Sequence, residues 1–259
     1  MGSDTKDDNG FLDKDVIILS PKQYESYEDK SKKIVLDISK DEYLNWLNLK
    51  FEQGKDSSFI STLNRNRTYG YQNFISIIGK GQMGKSVMLL NLLLWYNQTT
   101  DFSQYLTYDL NDYLYKASHY KKSLIALEEA ERSLRSHTLA NESELSNIII
   151  DFYETSPYLQ NSLILSQPSL RLLKFLKSKM DFILVMARRG IARIYKVNTN
   201  LTLEKIYFSK TKEVFYSYPL CIDIYRDYES YSYQKKAEML KSDSTSISKF
   251  LKSKDNPYL

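Results

Sequence analysis

Cysteine is almost absent: Cys221 stands alone in 259 residues, so no internal disulfide can close and a stapled secreted fold or a cysteine-built zinc site is excluded. A reducing, intracellular setting is expected. Glycine and proline are scarce, at eight and five, which rules out a collagen-like or Pro/Gly-rich disordered chain. No run of about eighteen apolar residues occurs. The opening MGSDTKDDNG is acidic where a secretion signal would be basic and then apolar. We therefore expect no membrane span and a cytoplasmic protein. His119 and His137 are the two histidines; neither has metal-ligand spacing, and both are expected at the surface.

Against these shortages, 42% of the residues are apolar and 22 are tyrosine, enough to bury a substantial core. The net charge of +4 hides an asymmetry: residues 1–30 carry eight acids against four lysines. From Pro168 to Val197 eight basic side chains (Arg171, Lys174, Lys177, Lys179, Arg188, Arg189, Arg193 and Lys196) face one acid, Asp181. On a helix, Arg171, Lys174 and Lys177 share about a third of the circumference, a face suited to a nucleic-acid backbone or simply to water.

Periodicity divides the chain. Residues 1–70 read as an N-terminal addition, with short strands at Val16–Leu19 and Ile34–Ile38, a helix over Asp37–Asn48, and a polar loop from Gly54 to about Thr68. From Tyr71, apolar strands alternate with amphipathic helices, the signature of an α/β fold on a mainly parallel sheet. Core strands are predicted at Asn73–Ile78, Tyr105–Tyr108, Ser123–Leu127, Ser162–Leu165 and Phe182–Met186, with helices at Lys85–Tyr96, Glu142–Glu154 and Ser169–Ser178. Ile191–Val197, Leu203–Phe208 and Glu213–Tyr216 are too closely linked for crossover helices and read as an antiparallel addition. A helix at Ile222–Leu240 closes a domain spanning 71–240, and the Ser/Lys-rich residues 241–259 are expected to be disordered. The stretch YSYPLCIDIYRDYESYSY offers either base-stacking platforms or, by helical spacing, core packing.

FISII runs directly into GKGQMGKS and then into VMLLNLLLWY, the strand, glycine loop and helix order of a P-loop. Gly79, Lys80, Gly81, Gln82, Met83, Gly84, Lys85, Ser86 and Val87 would wrap phosphate oxygens with backbone N–H groups at the positive end of a helix. Lys85 would reach the β- and γ-phosphates. Ser86 would ligate Mg²⁺, which takes few protein oxygens beside nucleotide and water. The implied ligands are ATP and Mg²⁺; the plainer alternative is a glycine turn before a core helix.

SLIALEEAE ends an apolar strand in consecutive carboxylates, the Walker B arrangement. Glu128 would anchor the Mg²⁺ shell and Glu129 would orient and deprotonate the attacking water; alternatively, the acids suit a helix N-terminus. NSLILSQP places Gln167 at the end of another strand, where it would sense a γ-phosphate or cap the next helix. An extra strand between the P-loop strand and the acid-bearing strand resembles the additional-strand, catalytic-glutamate division of P-loop NTPases, whose sheet order is 5-1-4-3-2.

Together IIGKGQMGKS, LIALEEAE, LILSQP and FILVMARRG resemble the FtsK/HerA superfamily of DNA-pumping ATPases, and in compact form the genome-packaging ATPases of tailless DNA viruses. The resemblance covers roughly Tyr71 to Asp227 and departs from the usual Asp-Glu pair at Glu128-Glu129. It implies a RecA-like fold and ATP hydrolysis coupled to translocation of double-stranded DNA. It further implies a homo-oligomeric ring, usually a hexamer, capsid or portal-vertex partners, a host-cytoplasmic or virion-associated location, and an arginine supplied by a neighbour. Arg188 and Arg189 are the favoured arginines, with Arg132 and Arg135 next. Competing readings are conjugation or phage-assembly transfer, replication or repair, and a P-loop small-molecule kinase.

Overall fold

The computed structural model describes residues 16–29, 32–54, 57–130, 149–151, 154, 157–169, 179–200 and 205–251. Its main sheet has seven strands: β3 (Phe74–Ile78), β4 (Leu106–Thr107), β5 (Leu124–Leu127), β6 (Ser162–Gln167), β7 (Phe182–Arg188), β8 (Ile191–Asn200) and β9 (Lys205–Tyr216), in the spatial order β4-β5-β6-β3-β7-β8-β9. The first five positions of that order pair in parallel, and β8 and β9 are added antiparallel at one edge. The architecture is thus α/β with a mostly parallel central sheet.

The apolar runs of β3, β5 and β6 are buried throughout, as parallel strands covered on both faces require. Alternation sends Ile75, Ile77, Leu124, Ala126, Ile164 and Leu184 to one face and Phe74, Ile78, Ile125, Leu127, Leu163 and Ile183 to the other. The second face is covered by α5 (Leu110–His119) through Leu110, Tyr113 and Ala117. Behind the first lies α4 (Lys85–Asn97), in which Met88 to Tyr96 are all buried. A helix apolar all round must be covered all round. The cover is α2 (Lys40–Gln53), α3 (Ser58–Tyr69) and the long C-terminal helix α6 (Ile222–Leu251).

Several sequence expectations change. The polar stretch after Gly54 contains α3, because Phe59, Ile60 and Leu63 fall on one helical face and are buried, while Asn64, Arg65 and Arg67 supply the polar character. From Lys205 on, the two strands expected at Leu203–Phe208 and Glu213–Tyr216 are one, β9, a single strand of 12 residues whose pairing with β8 shifts between Arg193 and Tyr195. The last helix does not stop at Leu240 but continues to Leu251. The short helix α1 (Pro21–Ser26), where a turn was expected, is held by a capping box in which Ser20 and Gln23 each bond the other's backbone.

Residues before 71 do not pack by themselves. β1 (Val16–Leu19) and β2 (Lys33–Leu36) form a second, parallel sheet with β10 (Leu220–Cys221), the strand that leads straight into α6. Tyr43, Leu47 and Phe51 of α2 join the same buried cluster as α4. Asn91, fully buried in α4, ties the parts together: its Nδ2 donates to Tyr43 Oη at 3.0 Å and its Oδ1 accepts from the Tyr218 N–H at 2.6 Å.

Asn91→Ala would leave a buried hydroxyl and a partly buried N–H without the partner each has in Asn91. We expect a loss of about 1–3 kcal/mol, read from the urea midpoint, in one cooperative transition. Two separate transitions would mean that the N-terminal residues fold independently.

Candidate functional site

β3 ends at Ile78 and the chain turns through Gly79–Gly84 into α4, placing Lys85 and Ser86 in that helix's first turn. Two positions explain the local sequence. Gly84 has φ +82°, left-handed, and a Cβ there would meet Gly190 N at 3.3 Å; a Cβ on Gly79 would lie 2.7 Å from Met186 of β7. Gln82 also takes a positive φ of 62°, a conformation that costs energy in a non-glycine residue. The turn between β7 and β8 braces the loop, since the Gly190 N–H donates to Met83 O at 3.0 Å. Lys85 Nζ donates to Gly79 O at 2.7 Å and Lys80 O at 2.9 Å. Burial pushes the Lys85 ammonium below its ordinary pKa, opposed by the charges of Glu129 and Glu128.

The acid-bearing strand β5 lies one strand from β3, with β6 between them. Glu128, which extends that strand, is 2% exposed, and its N–H donates to Thr107 O at 2.9 Å. Its carboxylate accepts from Ser86 Oγ of the P-loop helix, from Tyr108 Oη at 2.7 Å, and from Tyr228 Oη of α6 at 2.9 Å to Oε2 and 3.0 Å to Oε1. Ser232 Oγ lies 3.0 Å from Tyr108 Oη. Burial first, and the Glu128 charge second, hold both phenols far above their ordinary pKa, so both remain proton donors.

Glu129 faces the other way. At φ +52° it turns to a half-exposed position where Lys236 Nζ of α6 stands 3.8 Å from its Oε1. The structure thus gives the two carboxylates different surroundings: one buried among hydroxyls beside Ser86, one half-exposed beside a lysine.

Gln167 ends β6 opposite Ile78. It is fully buried; its Nε2 donates to Ser76 Oγ at 2.9 Å and its Oε1 has no hydrogen-bond partner among the described residues. Its backbone oxygen accepts the Gly79 N–H at 3.3 Å, so it stands at the root of the loop. Arg188 and Arg189 lie exposed at the β7–β8 turn, beside the loop of their own chain: a Cβ on Gly84 would be 3.9 Å from Arg189 Cγ. Of the basic patch, Arg193 and Lys196 are exposed on β8, and Lys179 pairs with Glu154. Asp181 turns inward to accept the Phe74 N–H at 2.8 Å. Arg132, Arg135, His137, Arg171, Lys174 and Lys177 lie outside the described residues, as does most of each helix expected at Glu142–Glu154 and Ser169–Ser178. His119 is exposed.

Sequence reasoning missed Tyr108, Tyr228, Ser232 and Lys236. The signal was available only in part: Tyr228, Ser232 and Lys236 stand at four-residue intervals, one face of a helix, but nothing local says which face of the molecule they meet. In the Tyr-rich stretch the expectation of packing holds for Tyr225 and Tyr228, both buried.

Among the described residues no cluster of three or more His, Cys, Asp or Glu is present. Ser86 and Glu128 are two adjacent hard oxygen donors, a pair that suits Mg²⁺ shared with phosphates and water. Glu128→Ala would strand the buried hydroxyls that donate to it, and we expect a stability loss of about 1–3 kcal/mol. Glu129→Ala, removing a half-exposed group with one weak ion pair, is expected to stay within about 0.5 kcal/mol. Urea unfolding of both variants checks the contrast. No protein-family model and no curated protein matches this chain, which leaves the chemistry of these side chains as the guide to what it does.

Proposed function

We propose that the protein is a Mg²⁺-dependent ATPase of RecA-like P-loop type that couples hydrolysis to movement of double-stranded DNA, packaging a viral genome. One observation carries the nucleotide part. The hydroxyl of Ser86, behind a glycine loop and Lys85, is hydrogen-bonded to a carboxylate at the end of the strand two positions away. Counted along the chain, the five parallel strands stand in the order 5-1-4-3-2, which supports the same reading.

In this reading the loop N–H groups and Lys85 hold the phosphates, and Lys85 leaves the carbonyls of Gly79 and Lys80 to do so. Mg²⁺, when bound, offsets phosphate charge beside Ser86 and Glu128. Glu129 orients the attacking water and takes its proton, freed from Lys236 at little cost because exposed ion pairs contribute about 0–1 kcal/mol. Gln167 reports on the phosphate end through the bond its backbone oxygen accepts from the Gly79 N–H, while its Oε1 can accept from the attacking water.

The DNA part rests on the resemblance and on the exposed cations Arg188, Arg189, Arg193 and Lys196. A hexameric ring, capsid or portal-vertex partners and a host-cytoplasmic or virion-associated location belong to the same proposal. No helix of the described residues is long and apolar enough to cross a membrane.

Hydrolysis should be stimulated by double-stranded DNA over single-stranded DNA, RNA or no polymer. DNA-independent phosphate transfer to a small acceptor would replace the motor with a kinase. We expect Lys85→Ala to abolish nucleotide binding or turnover, and Glu129→Gln to bind ATP without hydrolysing it. Loss of hydrolysis with retained binding in Glu128→Gln but not in Glu129→Gln would reverse the two roles.

The arginines admit a separate test. Because Arg189 stands beside its own loop, we expect mixtures of Lys85→Ala subunits with Arg188→Ala/Arg189→Ala subunits to stay as inactive as each alone, in assemblies shown by sizing to contain both. Recovered turnover would place these arginines in a neighbour's site, as the resemblance implies.

A further inference from the structure

Three strands of evidence meet on α6. Tyr228, Ser232 and Lys236 form one stripe of that helix, and the stripe faces the end of β5: Tyr228 bonds Glu128, Ser232 lies against Tyr108, and Lys236 stands by Glu129. Lys236 Nζ also lies 5.9 Å from the centre of the Tyr108 ring, so the stripe and Tyr108 make one cluster. Tyr228 and Tyr108 are buried, 6% and 2% exposed, with ring planes packed against Phe102 and Tyr231 respectively.

We propose that α6 is a positioning element for the metal-side carboxylate, with Tyr228 and Tyr108 as positioning residues that fix Glu128 toward Ser86. A glutamate carries one more side-chain torsion than an aspartate, so its carboxylate has more orientations to choose among. Here Tyr108 Oη donates to Oε2, and Tyr228 Oη lies within hydrogen-bond reach of both oxygens. That leaves Oε1 directed at the Ser86 hydroxyl, and a hydroxyl donating to a carboxylate offers a more electron-rich oxygen to a cation. The proposal deepens the P-loop ATPase reading and rests on it.

The test uses the full chain and the variants Tyr228→Phe, Tyr108→Phe, Glu128→Gln and the two Tyr/Glu128 double variants. Each is checked for folding by its thermal melt. The first readout is binding of a fluorescent non-hydrolysable ATP analogue across a Mg²⁺ titration; the second is turnover. Either tyrosine variant should raise the Mg²⁺ concentration at half-saturation about 10-fold while leaving analogue binding in EDTA unchanged. On the Glu128→Gln background the same substitution should add nothing, because its effect passes through that carboxylate. If Tyr228→Phe does not fold, Tyr108→Phe, which leaves α6 intact, decides alone.

An unchanged Mg²⁺ midpoint in the folded tyrosine variants overturns the proposal, as does a loss that recurs in full on Glu128→Gln. In both cases wild-type binding and hydrolysis stand, and with them the ATPase reading. A wild-type protein that binds no Mg²⁺-nucleotide removes the ATPase reading and this inference together.

Discussion

A carboxylate withdrawn from water must be given hydrogen-bond donors or its burial is costly, and Glu128 is almost wholly withdrawn. Its donors come from three directions: Ser86 on α4, Tyr108 beyond β4 and Tyr228 on α6. Meeting that requirement joins the helix that follows the glycine loop, the second edge of the parallel sheet and the C-terminal helix at one point. The carboxylate that would serve a metal is therefore also a structural junction, and its environment is set by residues far apart in sequence.

The second constraint is α4. Its largely apolar surface needs cover that the sheet supplies on one side only. The N-terminal helices and α6 supply the rest, which is why residues before the glycine loop share a core with those after it. Asn91 shows the same dependence in polar form: a single amide in the middle of that helix is satisfied by α2 on one side and by the approach to β10 on the other.

How much of this was legible in the sequence follows from what is local. The glycine loop between FISII and VMLLNLLLWY is a contiguous pattern whose geometry is fixed by its own neighbours, and the apolar runs of β3, β5, β6 and β7 announce buried parallel strands by composition alone. α3 escaped because Asn64, Arg65 and Arg67 dominate its appearance while only Phe59, Ile60 and Leu63 face inward. The separate readings of Leu203–Phe208 and Glu213–Tyr216 arose because Lys210 and Lys212 are exposed in mid-strand, where they resemble a turn. Tyr108, Tyr228 and Lys236 gained meaning only in three dimensions, since the pairing of a helix stripe with a strand end more than 100 residues earlier leaves no periodic trace.

The brace on the glycine loop closes a circuit. The Ser217 N–H donates to Gly190 O at 2.8 Å, and the Gly190 N–H donates to Met83 O. Ser217 lies just ahead of β10 and α6, α6 carries Tyr228 to Glu128, and Glu128 accepts a hydrogen bond from Ser86, three residues on from Met83. In the language of frameworks, the path from loop to hairpin to helix to carboxylate and back is a ring, and a ring distributes any imposed displacement over all its joints. A ligand that shifts the Met83 carbonyl must strain or shift each of the others. The loop and the carboxylate edge are therefore two joints of one linkage, and the β7–β8 turn is a third.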